Sequence, residues 1–558
     1  MARSTANARK PKPLPQKRSA DDWVRRGRRH DQAGDAKKAM KCYYEAFTLA
    51  PRNMDALKLL SRKLVHLTER RLAIEVLEQA VAANPDDWEV YLILGNLALE
   101  MRMLEAALKL FGLVCKMKPE NFTGPNNMAT VLREMERFDE AITLLQEAIP
   151  QHPTVPALWN TLATVVSVRD GLEEALPFYE EALRLDPKLA TAWSNVARTY
   201  EACGRFDDAM EAARKAISLD PEFAEPRFIL GTTLLCRGEL AEGLDQYEWR
   251  QHWRRPGALR YTLTCDRWDG EPLPGRKLAV CSEQGLGDEI LFATCMPDVA
   301  ATADALYIGC DPRLVPLYQR SFPGAVVGGH RDMSHNAQRY RDLPFLRQQG
   351  LVPDHYIEVG SLLRFLRRDI SDFPGRPEGY LVPDPERVAH WRRELEGAGP
   401  GLKIGITWAS GFKNTERNMH YTSLEQWRDI LGVDGATFVN VQHGDCEADL
   451  KAAEDAFGVT IHRPRAINLK DDLDDLAALV KALDIVIAPT VAVGCMAMAV
   501  GTDLWLFARR PPFWHFGRNR PGDSSPLART RLFLHDRENG WAVTMREIAE
   551  AVRERALA

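Results

Sequence analysis

Leu278-Ala-Val-Cys281 reads as a short buried strand, and Gln284-Gly-Leu-Gly-Asp-Glu289 as the turn that carries it into a helix. Asp288 then stands at the helix start, facing a cleft. A carboxylate there can deprotonate a hydroxyl that comes within hydrogen-bond reach. It can equally cap the helix and answer its dipole, a role that would lower its pKa. The sequence leaves both open. Gly285 and Gly287 would let a substrate approach the backbone, although the third glycine of a dinucleotide fingerprint is absent.

Three further loops offer groups to an anion. Ala409-Ser-Gly-Phe-Lys-Asn-Thr-Glu-Arg417 follows another strand and presents Ser410, Lys413 and Arg417. Those cations could clamp a phosphate leaving group, or they could be a solvated surface loop. Ala488-Pro-Thr-Val-Ala-Val-Gly494 leads into an uncharged helix, whose first N–H groups make an anion site with Thr490 as a side-chain donor and Gly494 inside it. Ala508-Arg-Arg-Pro-Pro-Phe-Trp-His-Phe-Gly-Arg518 adds Arg509, Arg510 and Trp514, an aromatic able to stack on a base. All these residues are expected to bind a donor.

Several chemistries are excluded or discounted. No HExxH, GxSxG or Walker lysine occurs, and the 13 histidines show no metal spacing. A formal DxD, Asp472-Leu-Asp474, lies in Lys470-Asp-Asp-Leu-Asp-Asp475 just before a helix, where acids are expected anyway. With 73 basic and 78 acidic side chains the formal charge is −5, which argues against a nucleic-acid binder held by phosphate neutralisation. Ten cysteines without a CxxC pair fit a reducing compartment. Residues 1–19 are basic, proline-containing and without an apolar core, so a flexible basic arm is expected rather than a signal peptide. Residues 485–502 carry no charge but contain Pro489, Gly494 and Gly501, and read as strand, turn, buried helix and turn rather than a membrane span. A cytoplasmic chain is the expectation.

The chemistry-bearing loops need strands and helices to hold them. Strands are expected at 278–281, 305–308, 325–327, 403–408, 437–442, 459–462, 485–487 and 504–507, with helices between, one of them at 475–483. Thr422-Ser-Leu-Glu425 has the capping-box spacing of another helix start. Two blocks of alternating strand and helix imply two parallel sheets facing across a cleft, with ligands at the loops beyond the strand C-termini. Proline and glycine turns make residues 257–276 read as a linker.

The first half follows a different rule. Proline recurs at Pro51, Pro85, Pro119, Pro153, Pro187 and Pro221, always 34 residues apart. In that frame position 8 is small (Gly27, Ser61, Gly95, Ala129, Ala163, Ala197, Gly231). So is position 20, from Ala39 to Gly243, which lets paired helices cross closely. Large residues at positions 4 and 24 fill the space between them, and proline ends the second helix. This pattern resembles the tetratricopeptide repeat and implies seven units over residues 20–256, stacked as a superhelix with a groove for protein. Asn127 and Asn195 share position 6, with Asn160 one place earlier. They could bind the backbone of an acceptor peptide, or be solvated amides. The seventh unit lacks its proline and runs on as Tyr247-Glu-Trp-Arg250, which reads as a cap docking onto the second half of the chain.

Taken together, the chain resembles bacterial repeat-containing glycosyltransferases of the GT-B fold, related to heptosyltransferases and O-linked N-acetylglucosamine transferases. Trp268-Asp-Gly-Glu-Pro-Leu, Glu283-Gln-Gly-Leu-Gly-Asp-Glu-Ile-Leu-Phe-Ala293, Ile404-Gly-Ile-Thr-Trp408, Phe438-Val-Asn-Val-Gln-His-Gly-Asp445 and the run from Asp471 through Pro489-Thr490 carry the likeness. It implies an α plus α/β chain: repeats, then a GT-B pair of Rossmann-like domains at 277–400 and 401–558. Asp288 would be the general base and Lys413 a donor-phosphate ligand. Pro489-Thr490 stand without the acidic and histidine partners that the family usually has. The implied reaction is metal-independent, with no cofactor, and moves a sugar from a nucleotide-sugar to Ser/Thr hydroxyls of a protein bound by the repeats. Flagellin and a nine-carbon acidic sugar are the leading guesses. The alternatives are a glycan or lipopolysaccharide transferase, and a scaffold with an inactive GT-B half.

Overall fold

The computed structural model describes residues 18–67, 69–252, 255, 258–335, 338–374, 378–411, 420–509, 514, 530–536 and 540–557. The expected basic arm therefore lies almost wholly outside the described residues. The chain divides into two compact units, residues 1–165 with 335–337, and 166–334 with 338–558. That division falls inside the helix Pro156–Arg169 rather than at the end of the repeats.

The first unit is built of helix pairs: Ala20–Gln32 with Ala36–Leu49, Met54–Leu67 with Arg70–Ala83, Trp88–Glu100 with Leu104–Met117, and Thr123–Glu134 with Phe138–Ala148. Helices begin where the proline frames begin, one residue late at Thr123. The second helices stop two residues before Pro51, Pro85 and Pro119, since the residue before proline disfavours helical backbone. Small residues at position 8 are required by the ring at position 24. A methyl group on Gly27 would lie 2.3 Å from Tyr43, and one on Gly95 2.5 Å from Phe111. Position 4 adds a tether: Tyr91 Oη donates to Pro85 O (3.0 Å) and Trp159 Nε1 to Pro153 O (3.2 Å). Ser19 caps the first helix in a reciprocal box with Asp22.

The second unit opens with repeat helices Leu172–Leu185, Ala190–Ala202, Phe206–Leu219, Ala224–Arg237 and Leu240–Tyr247. The last is only eight residues long and passes into a 3₁₀ turn, Glu248–Gln251. Gly231 permits this, because a methyl group there would meet Tyr247 N at 2.6 Å.

Two parallel sheets follow. The strands are β1 Leu259–Tyr261, β2 Asp266–Arg267, β3 Lys277–Cys281, β4 Ala305–Cys310, β5 Val326–Gly329, β6 Arg331–His335, β7 Gln338–Asp342 and β8 His355–Glu358, then β9 Leu402–Ile406, β10 Ala436–Asn440, β11 Ile461–His462, β12 Ile485–Ala488, β13 Asp503–Ala508 and β14 Thr530–Leu534. The first sheet has the order β2-β8-β3-β4-β5, and the second β11-β10-β9-β12-β13-β14. Every pairing in both is parallel. β12 is buried throughout, as expected for a strand covered on both faces. A small sheet, β1-β7-β6, stands apart.

Two expectations are corrected here. The stretch 257–276 is not an open linker: it supplies β1 and β2 and buries Trp268, whose Nε1 donates to Glu271 O at 2.8 Å. The capping box at 422–425 is shifted by one, with Ser423 and Gln426 reciprocally bonded, while Thr422 accepts from Trp427 Nε1. Residues 485–502 form β12 and a buried helix, Ala492–Val500, in line with the sequence pattern. Among the described residues no helix is long and apolar enough to cross a membrane.

Candidate functional site

Both parallel sheets reverse direction once. In the first, β4 lies on one side of β3 and β8 on the other; in the second, β10 and β12 flank β9. Loops after the two strands at a reversal splay apart and leave a crevice, the usual ligand position in such sheets. The residues of interest cluster at these two crevices.

At the first crevice the loop Ser282–Gly285 is held from every side. Tyr261 Oη donates to Ser282 O (2.6 Å), and Arg341 Nη1 donates to Ser282 Oγ (2.9 Å) and to Glu283 O. The Glu283 carboxylate accepts from Gly360 N (3.0 Å), on the loop after β8, and from Arg250 Nη2 (2.7 Å). Arg250 comes from the 3₁₀ turn of the last repeat. It is 4% exposed, also binds Glu248 (2.7 Å) and Ser361 Oγ (2.8 Å), and lies over the Tyr247 ring at 4.7 Å. Arg267 completes the network through Glu248, Ser361 and Glu358. The cap reading of the seventh unit thus has a physical form: a buried and a half-buried arginine matched by three buried or nearly buried carboxylates.

Asp288 follows on the helix Leu286–Phe292. Gly285 is that helix's N-cap and no side chain caps it, so Asp288 does not serve as the cap that the sequence allowed. Its pKa is not lowered either. Burial, with the negative charge of Glu283 added and Arg250 opposing, pushes it up to about 6. Asp288 as a residue is half-buried, and protein crowds its carboxyl. Neighbouring Glu289 is fully enclosed, accepts from Asp311 N (2.8 Å), and burial pushes it up to about 8. Of the two adjacent acids, Glu289 therefore holds its proton to higher pH than Asp288.

The helix Leu286–Phe292 packs against Ala492–Val500, from beyond the second crevice. Gly287 sits in that contact, where a methyl group would be 3.4 Å from Cys495 Sγ. Asp288 raises the pKa of the Cys495 thiol, which burial has already pushed up. The helix Ala492–Val500 starts after Val491, has no side-chain cap and no acid in its first turn. Thr490 is half-buried just before it. Gly494 is buried against Pro489 O and Leu504, both 3.5 Å from where its methyl would be, which makes it a packing residue of this helix. Across the crevice, Gln442 Oε1 accepts from Thr407 Oγ1 (2.7 Å), Trp408 N (3.2 Å) and Ala409 N (3.1 Å). This amide fixes the backbone at the end of β9, at Trp408 and Ala409.

The structure thus brings Gly285, Gly287, Asp288, Thr490 and the Ala492–Val500 helix together. Lys413, Arg417 and Arg510 lie outside the described residues. Arg509 is half-buried, and its charge adds to the burial that depresses His535. Trp514 is not open to a base: it is 4% exposed, stacked on Phe292 (6.4 Å, 19°) and edge-on to Tyr247 (6.4 Å), so it fastens the repeat tail. Both DxD acids are engaged: Asp472 caps its helix and Asp474 meets Arg320 twice (2.8 and 2.9 Å), while the adjacent Asp475 accepts from Trp391 Nε1 (2.9 Å).

Among the asparagines, Asn127 Nδ2 donates to Asn96 (3.0 Å) and Asn127 Oδ1 accepts from Asn126 Nδ2 (3.2 Å). Asn126 in turn accepts from Thr161 (2.7 Å), which makes a polar ladder within the first unit. Asn160 adjoins that ladder and Asn195 lies in the second unit, both half-buried. Sequence reasoning missed Arg250, Glu283 and Gln442 as site residues. The signal for Arg250 was there: it ends the one repeat that departs from its pattern.

Parts of the chain match family models described as tetratricopeptide repeat, at residues 63–121, 126–190 and 172–227. Over 489 residues it is 35% identical to Protein FlbA of Caulobacter vibrioides, covering 86% of this chain and 81% of that protein. The chain belongs to the FlbA family. The FlbA match extends beyond the repeats, since 489 residues exceed the repeat region. Among solved structures, yeast Tom70 is 21% identical over 42% of this chain and 50% of that one, with a TM-score of 0.36. A thermophilic repeat protein of Thermus thermophilus is 17% identical, covering 39% of this chain and all of that one, with a TM-score of 0.27.

Proposed function

We propose that this FlbA-family chain is a glycosyltransferase that moves a sugar from a nucleotide-sugar onto a hydroxyl of a protein held by the repeats. The observation that carries the reading is the position of Asp288: a half-buried residue whose carboxyl burial pushes up to about 6, on a helix packed against one with an uncapped, acid-free start. The carboxylate would take the acceptor hydroxyl proton as that oxygen attacks the anomeric carbon. The bond to the nucleotide phosphate breaks, and the phosphate leaves toward the start of Ala492–Val500, where N–H groups stabilise its charge. No acid pair sits on that loop to form a glycosyl intermediate, so a single displacement with inversion is the expected course. The DxD acids, Asp472 bound to backbone and Asp474 to arginine, support a route without a clamp there. Flagellin is the leading acceptor by family resemblance.

The test is transfer by the purified full chain from nucleotide-activated sugars to flagellin, read by mass spectrometry, beside Asp288→Asn. Donor-dependent mass gain that the variant loses supports the reading. No transfer to any hydroxyl acceptor, with intact folding and nucleotide binding, would leave the scaffold reading in its place.

A further inference from the structure

The repeat tail does more than join two folds. Arg250 lies at the reversal point of the first sheet, between the loop after β3, which supplies Glu283, and the loop after β8, which supplies Gly360 and Ser361. Its approach is tight: a methyl group on Gly360 would be 2.6 Å from Glu283 Oε1 and 3.1 Å from Arg250 Nη2. Glu283 is five residues before Asp288 on the same loop and helix. An acid there with no cation beside it would repel the Asp288 carboxylate and cost heavily for its own burial. The guanidinium on the Glu283 carboxylate comes from the repeats, while Arg341, from the α/β part, bonds Ser282 Oγ and the Glu283 backbone oxygen.

We propose that the last repeat is a working part of the site, with Arg250 the positioning residue that fixes the Glu283 loop and sets the charge against which Asp288 works. The repeats then supply an element of the transfer chemistry as well as a groove. This rests on the reading of Asp288 as the base, but the coupling it asserts is physical and exists whether or not transfer occurs. The groups that feel Asp288 are Glu283 on its own loop, Arg250 and Tyr247 on the repeat tail, and Cys495 on Ala492–Val500. Tyr247 and Cys495 stay neutral across the working range, since burial raises both. Among the described residues, Glu283 and Arg250 are the charged groups that act on Asp288.

The experiment follows the Asp288 carboxyl in the full-length chain by ¹³C NMR of Asp-labelled protein, with Asp288→Asn identifying the signal. Arg250→Met should raise the titration midpoint by about one pH unit or less, the range for losing a cation that does not touch the group. Glu283→Gln should lower it by a similar amount, and the Arg250→Met/Glu283→Gln pair should return it close to wild type. Arg250→Lys should recover most of the Arg250→Met shift. If Arg250→Met does not fold, Glu283→Gln and the pair still read the coupling. A midpoint unmoved in a folded Glu283→Gln or Arg250→Met chain overturns the proposal. If the midpoints move as stated but Asp288→Asn transfers sugar normally, Arg250 is a positioning residue for a carboxyl that is not the base, and only the transferase reading of Asp288 falls.

Discussion

A carboxyl whose pKa is raised by burial costs the folded chain stability once it ionises, and Asp288 makes this measurable. Its ordinary value is 3.8 and its value in the fold is about 6, a rise of about two units. Each unit is worth about 1.4 kcal/mol, which gives about 3 kcal/mol for a fully enclosed group. Solvent reaches part of Asp288, so the expected cost is nearer to about 2 kcal/mol. Well below the ordinary value of 3.8 folded and unfolded chains both hold the proton and the group is neutral to stability. Between about pH 4 and 6 the unfolded chain releases its proton first, so stability falls as pH rises, and above 6 the full cost remains. Asp288→Asn keeps the shape and cannot ionise. The variant should therefore unfold at higher denaturant concentration than wild type at about pH 7.5, and at the same concentration at about pH 3. Urea unfolding followed by tryptophan fluorescence at both values is the assay. An Asp288→Asn chain no more stable than wild type at pH 7.5 would refute the claim that burial sets this carboxyl. A variant that is both more stable and inactive would mark a residue kept at a cost to the fold.

Other outcomes follow from the same geometry. Transfer at limiting substrate should rise with pH through about 6 and level off, because the base must be ionised; Asp288→Asn should lower it by roughly 10²–10⁴ at every pH. Gly231→Ala places a methyl group against the Tyr247 backbone and should destabilise the second unit by about 1–3 kcal/mol in urea unfolding, with a larger loss for Gly231→Val. Gln442→Ala removes the acceptor for Thr407, Trp408 and Ala409, so calorimetry should show nucleotide affinity several-fold weaker, and retained affinity would separate that loop from donor binding. Lys413→Ala should also weaken nucleotide binding without unfolding the chain, by the same measurement.

The sequence disclosed what is periodic or long, and hid what depends on distant partners. Thirty-four-residue spacing located most repeat helices to within a residue, because small residues at positions 8 and 20 have one steric purpose. The long apolar strands β3, β9, β10, β12 and β13 were visible for the same reason. β8 was not, since His355-Tyr-Ile-Glu358 has too few apolar residues to register, although it completes the first crevice. β1 and β2 are two or three residues long and exist only through partners some 80 to 90 residues away. Trp514 illustrates the other limit. An aromatic on a basic loop suggests a stacking platform, but nothing local shows that Phe292 and Tyr247 enclose it. Asp288 was found by its loop, while the direction of its pKa shift depended on Glu283 and Arg250, whose approach no spacing reveals.

These relations change what the repeats can be asked. By sequence pattern alone, a cut after residue 256 separates protein capture from chemistry, with an isolated α/β half that binds donor and modifies its acceptor poorly. That half would lack Arg250, Glu248 and Tyr247, leaving Glu283 buried without its cation and Trp514 with Phe292 but without Tyr247. Its failure would say nothing about recruitment, because the site itself would be damaged. The division after Val165 is the informative one. It leaves the second unit with every residue that builds the crevices and removes the asparagine ladder of Asn96, Asn126, Asn127 and Thr161. If the first unit serves to hold the acceptor, a chain starting at 166 that folds and keeps the Asp288 titration midpoint should lose transfer to the intact protein acceptor while keeping transfer to a short acceptor peptide at high concentration. Equal transfer to both would mean that capture lies in the last repeats too, and that one short array both holds the acceptor and completes the site that acts on it.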